Sequence, residues 1–470
     1  MRVYLNNIGV IRDSEIEINE ITLITGYNDS GKTTAGKTIN AIFSAVEDIF
    51  LNALADKIAY INIVLHRRIR NIIPVGANEL NLSNRISQRI NEWLNIGFAA
   101  TDEEIKDLCN KAKSIIEDIS QASDEQIDGL FKEPNRSMLG GRVKIYRDNG
   151  ELLKTIALIE TMEQLITDDP QAMKYADRKI IKYLQSDFFD QITPVRYKDR
   201  VGEILVKEND ANVFNIRIRK NEIEGTEHLY NYIANSEIEK VIMIDDSDVL
   251  DEIYAHVNKQ TSYGMYHDQL ELSDYYQTIS VRNRKEKLSN YMFPHNYLYQ
   301  EIENEERAQL IFEKIDEAFN DEVIISGNKM VCAGSKLDVR NLAAGSKLFA
   351  IIRQLLLKGQ LDNKTLLIMD EPDDHLHPEW QVLLAEVLAL LNKELGVKIL
   401  LTTHSTNLVY GFEVIQKREK KQSVKLYDTI KLEDEYSVMY KDVSDDYSEV
   451  YSKLGAPFIN LRREESLYDN

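Results

Sequence analysis

Gly26-Tyr27-Asn28-Asp29-Ser30-Gly31-Lys32-Thr33 lies between the apolar run Ile21 to Thr25 and a stretch from about Thr33 to Phe50. In that second stretch Ala41, Ile42, Ala45, Val46 and Ile49 recur at helical spacing. The octet has the form Gly-x-x-x-x-Gly-Lys-[Ser/Thr], a loop that wraps its backbone N–H groups around phosphate oxygens. Its glycines permit the required φ angles and close approach. The helix that follows points its positive end at the anion. Lys32 is expected to bridge the β- and γ-phosphates of ATP and the Thr33 hydroxyl to hold Mg²⁺. Asn28, Ser30, Gly31 and Thr34 complete the cradle. A plain Gly-Ser turn is the competing reading, and it gives no reason for a strand before the loop and a helix after it.

Such a loop needs a carboxylate on a neighbouring strand. Leu366-Leu367-Ile368-Met369-Asp370-Glu371-Pro372 supplies it. Asp370, at the end of the apolar run, is expected to meet Mg²⁺ through water, and Glu371 to orient and polarise the attacking water. Two adjacent acids ending a buried strand are costly without a cation or water to serve. Val241-Ile242-Met243-Ile244-Asp245-Asp246 is a rival, but it lacks the glutamate and the later histidine strand. That later strand is Lys398-Ile399-Leu400-Leu401-Thr402-Thr403-His404-Ser405. His404 would hydrogen-bond a γ-phosphate, although a histidine after a strand is more often structural.

Asn341-Leu342-Ala343-Ala344-Gly345-Ser346-Lys347, followed by an apolar helix to Leu357, makes a second small-residue nest. One chain does not easily bring two helix N-termini onto one triphosphate. A second copy would therefore present Ala343, Ala344, Gly345 and Ser346 to the first copy's ATP.

These blocks, in this order, resemble the ABC-type ATPase heads of SMC and RecF-like proteins, and more closely the OLD-like ATPases of bacterial anti-phage systems. In that group the acidic strand ends Asp-Glu-Pro, an acidic residue, then His-Leu-His-Pro. This chain has Asp370-Glu371-Pro372-Asp373-Asp374-His375-Leu376-His377-Pro378. The resemblance is specific over about 1–50 and 330–410, loose over 188–330 and nearly absent over 51–187. It implies an α/β fold: an ABC-type P-loop ATPase head of mixed sheet and helices, with an antiparallel β subdomain and a helical insertion. It also implies that Lys32, Thr33, Asp370, Glu371 and His404 take the roles given above and that the family's signature loop falls at Ala343 to Gly345. The family loop begins Leu-Ser, whereas Leu342 is followed by Ala343, so a hydroxyl contact worth roughly 1.5–3 kcal/mol is missing. Slow hydrolysis is the expectation, and Asp29 adds a negative charge near the phosphates. Gln191 is the candidate γ-phosphate-sensing glutamine and third Mg²⁺ ligand. His375 and His377 suggest a zinc pair, but their i, i+2 spacing lacks further ligands, and a subunit-contact loop is the favoured reading.

Around these motifs, the head is expected at 1–50 and 188–440, the helical insertion at 51–187 and an acidic, Tyr-rich tail at 441–470. A small β element is expected at Arg142–Tyr146. With 57 basic and 78 acidic residues the chain carries −21, which opposes general binding to nucleic-acid backbones. Basic clusters at residues 66–70, 282–285 and 417–421 read first as solvated faces. No run of about 18 apolar residues occurs, so no membrane span is expected, nor does the start read as a signal peptide. Two distant cysteines, Cys109 and Cys332, fit a reducing cytoplasm.

The resemblance implies a homodimer or higher homo-oligomer formed through an ATP sandwich, acting as a sensor or switch in a system such as PARIS or Septu. A separate nuclease or toxin effector is the expected partner, since no nuclease motif is present, and a phage protein or nucleic acid the expected trigger. The alternatives are a RecF- or SMC-like ATPase of DNA maintenance, disfavoured by the charge and the lack of a long heptad run, and a scaffold that binds ATP without hydrolysing it.

Overall fold

The computed structural model describes residues 1–47, 169–197, 199–208, 211–227, 237–247, 249–251, 253, 284–292, 305–319, 324–326, 329–332, 335–338, 341–419, 422–434 and 436–468. The Arg142–Tyr146 element, Cys109 and most of the expected insertion lie outside these residues. Contacts divide the chain into one compact unit of residues 1–47, 179–265 and 280–470, and a second of 48–178 and 266–279. The P-loop octet, the acidic strand, the histidine strand and the small-residue nest all belong to the first unit.

The N-terminus contributes β1 (Arg2–Asn6), β2 (Ser14–Glu17) and β3 (Ile21–Thr25). In β1 alternate residues are buried, placing Val3 and Leu5 inward, as a strand with one covered face requires. β3 is buried at all five positions, which identifies a strand covered on both faces. Helix α1 follows over residues 32–47. After α2 (Asp169–Phe188), the strands β4 (Gly202–Glu208), β5 (Ala211–Arg219) and β6 (Glu222–Glu227) join β1 and β2 in an antiparallel sheet of order β2-β1-β4-β5-β6.

β7 (Lys240–Ile244), α3 (Arg284–Met292) and α4 (Glu305–Asp316) come next, then a three-stranded antiparallel sheet of β8 (Ile324–Ser326), β9 (Lys329–Cys332) and β10 (Ser335–Asp338). The C-terminal part alternates α5 (Ala344–Leu357), β11 (Thr365–Asp370), α6 (Pro378–Leu395), β12 (Lys398–Thr403), α7 (Thr406–Arg418), β13 (Val424–Lys431), β14 (Val438–Asp442) and α8 (Ser448–Tyr468). Its sheet has the order β14-β13-β3-β12-β11-β7. All of it is parallel except β14, which pairs antiparallel to β13.

The fold is therefore α/β with a separate antiparallel β sheet, as the motifs imply. The decisive join is β3, which is placed between β12 and β13 by the registers Thr25↔Thr403 and Thr25↔Asp428. Sequence-distant segments close the sheet, and their C-terminal ends lie side by side, where open parallel sheets bind ligands. The core against this sheet holds Leu348, Phe349, Ile351 and Leu355 of α5 and Leu384, Leu388 and Leu391 of α6, all at most 3% exposed. Among the described residues no helix is long and apolar enough to cross a membrane.

Residues 441–470, read from sequence as a tail, carry the end of β14 and helix α8, and Val443, Tyr447 and Val450 are buried in the core.

Candidate functional site

The loop after β3 turns through residues in left-handed backbone: Asp29 at φ 58° and Gly31 at φ 78°. Gly26 at φ 154° has no room for a side chain, since a Cβ there would fall 1.7 Å from Thr429 Oγ1. At Gly31 the nearest atoms to such a Cβ belong to Val10, at 2.9 Å, then to Ile11 and Val438. The glycines are thus demanded by close approach as well as by conformation. Asn28 and Asp29 are exposed, whereas Ser30 is 3% exposed and its hydroxyl has no hydrogen-bond partner. Thr34 follows on α1 and packs against Gly9.

Lys32 is 4% exposed. Its ammonium donates to the carbonyls of Gly26 (3.3 Å) and Tyr27 (3.0 Å) and lies 3.2 Å from Glu371 Oε1. The P-loop and the acidic strand therefore meet at one point. Thr33 is hydrogen-bonded to Asp370, whose Oδ1 also accepts from the Thr402 hydroxyl. Burial pushes the Asp370 carboxyl up and Glu371 adds to that, while the bonds from Thr402 and Thr33 oppose it. A half-buried carboxylate beside a threonine hydroxyl at a helix N-terminus is a fitting donor set for Mg²⁺. The rival Asp245 lines a cavity with Asp370 and Glu371, but its Oδ2 is engaged by Arg284 at 2.6 Å.

Glu371 sits at φ 48°, an uncommon region for a non-glycine residue. Its N–H donates to the Thr402 carbonyl and hydroxyl, each at 3.0 Å, which holds the strained backbone. His404 Nδ1 lies 3.7 Å from Glu371 Oε1 and Nε2 lies 3.9 Å from Asp374 Oδ1. Among the described residues, these three are the group close enough to hold a metal ion, with donor atoms within 4.8 Å of one another. Buried Asp373 accepts from the Thr403 hydroxyl at 2.6 Å. Burial raises its pKa; the Thr403 bond and His404 lower it, and Asp374 raises it further.

His375 and His377 do not converge on a metal. His377 caps α6 by accepting from the Glu379 N–H at 3.4 Å, and Pro378 starts the helix. His375, at φ 65°, lines a cavity of about 300 Å³ together with Asp245, Asp246, Ala344, Gly345, Asp370, Glu371 and Asp374. No P-loop residue is on that wall. Ala343 is exposed at the N-cap of α5 with no side-chain cap bond, Ala344 opens the helix and Ser346 is half-buried. Gly345 packs against Leu376 and Trp380, where a Cβ would meet Leu376 at 2.8 Å. The Ala343–Ser346 stretch thus leans on its own chain's acidic-strand loop. Gln191 is exposed, with its backbone N–H bonded to the Phe188 carbonyl; its side chain is not brought to Thr33 or Asp370.

Three residues escaped sequence reading. Tyr440 donates its hydroxyl to the Gly31 carbonyl at 2.6 Å. Lys453 donates to Asp428 Oδ1 (2.7 Å) and the Thr429 carbonyl (2.6 Å) and lies 4.8 Å from the Tyr27 ring centroid. Thr429 itself fills the space beside Gly26. No local pattern marks them; only the pairing of β13 with β3 brings them to the loop.

Residues 1–409 match the family model described as AAA ATPase domain. No curated protein matches the chain. Among solved structures, the SMC head domain from Thermotoga maritima aligns over 94% of this chain and 98% of its own, at 10% identity and a TM-score of 0.37. The Smc head domain from Pyrococcus furiosus, with an extended coiled coil and bound to the C-terminal domain of ScpA, aligns over 95% and 97%, at 9% identity and a TM-score of 0.35. The Smc head domain from Pyrococcus yayanosii, with a coiled coil and joint, aligns over 97% and 99%, at 9% and 0.34.

Proposed function

We propose, from the premise that the chain belongs to the AAA ATPase domain family, that it is an ATP-hydrolysing switch whose two states are read by a separate effector protein. The observation that carries this is the meeting of Lys32 with Glu371 at 3.2 Å. Phosphate-binding lysine and water-polarising carboxylate converge although they lie in distant parts of the sequence.

In this reading the triphosphate lies in the P-loop, with its β- and γ-phosphates on Lys32 and on the free N–H groups that open α1. The unpartnered Ser30 hydroxyl supports a ligand that supplies its missing acceptor or donor. Thr33 and Asp370 would hold Mg²⁺, which supplies charge neutralisation between the phosphates, and Gln191 would be its third ligand. Once phosphate engages Lys32, Glu371 is released to accept a proton from the attacking water. His404, facing the same carboxylate, donates to the γ-phosphate. Asn341 and Ala343 are exposed, which supports a second copy bringing its Ala343–Ser346 loop over this ATP in a homodimer or larger ring. The finer setting we propose is anti-phage defence, with the oligomer holding a nuclease or toxin until a phage protein or nucleic acid is sensed.

Two measurements test this. Purified chain should release phosphate from ATP, and Glu371→Gln should reduce that release by about 10²- to 10⁴-fold; equal turnover removes the catalytic assignment. Co-expression with the product of the neighbouring gene should yield a stable complex with a nuclease or toxin; a repair or replication protein there would instead favour DNA maintenance.

A further inference from the structure

The P-loop is braced from the C-terminal side of the sheet. Tyr440 on β14 is 6% exposed and donates to the Gly31 carbonyl at 2.6 Å. The same carbonyl accepts the Ala35 N–H at 3.0 Å. Because a peptide unit is planar, with C=O and N–H pointing opposite ways, two donors on the Gly31 carbonyl fix the direction of the Lys32 N–H. That N–H is among those a helix start leaves without an intrahelical partner. Gly31, at φ 78°, sits in a region where glycine has conformational freedom to lose, so an external donor has something to fix. Tyr440 lies beyond residue 409, where the family match ends.

We propose that Tyr440 is a positioning residue for nucleotide binding: its hydroxyl sets the Gly31–Lys32 peptide so that the Lys32 N–H faces the phosphates. This rests on the P-loop reading above. The residue touches no substrate and acts only through the loop. Its deletion leaves the Gly31 carbonyl still bonded to Ala35, so the fold loses one hydrogen bond while the peptide gains freedom to rotate.

Tyr440→Phe removes the oxygen and keeps the ring packing. The expected result, with ATP as the probe in calorimetry, is about threefold to tenfold weaker binding, the size of one neutral hydrogen bond. KM for ATP should rise by the same factor with kcat little changed, beside a small fall in the nucleotide-free unfolding temperature from the one lost hydrogen bond. A merely structural hydroxyl predicts that fall alone, with unchanged ATP affinity; that outcome overturns the proposal, as does a fall in kcat at constant KM. Lys32→Ala serves as the control. If it also leaves ATP affinity intact, the nucleotide site is misplaced; if it abolishes binding while Tyr440→Phe does not alter it, only the role of Tyr440 fails.

Discussion

Lys32 Nζ and Glu371 Oε1 lie 3.2 Å apart, with the lysine buried and the glutamate partly open to solvent. The ammonium thus already has an anionic partner, and a phosphate must compete with it. Glu371→Gln removes that competitor. ATP should bind this variant at least as tightly as wild type, measured by calorimetry, and nucleotide should remain bound through gel filtration. Weaker binding would show that Glu371 supports the loop instead of competing for its lysine.

Ala343 leaves the N-cap of α5 without a side-chain bond. Ala343→Ser adds a hydroxyl at an exposed site, and Ser at an N-cap is itself favourable by about 0.5–2 kcal/mol over Ala. If the loop reaches the partner's γ-phosphate, turnover should rise by up to about tenfold and should depend on protein concentration. A gain in melting temperature with flat turnover would confine the residue to helix capping.

Asp373 is 4% exposed, and burial raises its pKa above the unfolded value. The folded chain therefore holds this proton more tightly than the unfolded chain does. Its contribution to stability is full below the unfolded pKa and is lost as pH rises through the folded one. Asp373→Asn should raise the unfolding temperature at neutral pH and flatten its dependence on pH above the usual carboxylate range. The bond from Thr403 can be kept by the amide oxygen, so a lower unfolding temperature at neutral pH would mean that the negative charge, through His404, is what the fold needs.

Gly345 has no space for a side chain, with Leu376 and Trp380 against its Cα. Gly345→Val should cost about 1–3 kcal/mol of stability through overpacking, visible as an earlier urea midpoint. The contact joins the Ala343–Ser346 stretch to the loop after Asp370, so if that stretch seals the proposed ATP-bound oligomer, self-association in ATP should weaken too. Association intact at a lower midpoint would restrict the effect to packing.

The site was legible wherever chemistry needs fixed spacing. The P-loop octet, Asp370-Glu371 and His404 are each marked by an apolar run ending in a polar residue, and the sheet places those ends together. The strands β3, β7, β11 and β12 were readable for the same reason. β8, β9 and β10 were not, since strands of three or four residues show no periodicity. Gln191 was chosen by its neighbours in sequence, and the structure leaves it exposed because Asn221 of the β5–β6 turn ties the adjoining Ile192 and Thr193 backbone instead. Tyr440 and Lys453 carried no signal because their roles depend on β13 lying beside β3, a pairing across some four hundred residues.

That pairing has a consequence for biosynthesis. β3 leaves the ribosome long before both of its neighbours, β12 and β13. A growing polypeptide thus carries an apolar, unpaired strand until β12 and β13 have been made. Release before residue 424 would yield a product with its central strand half open and prone to aggregate.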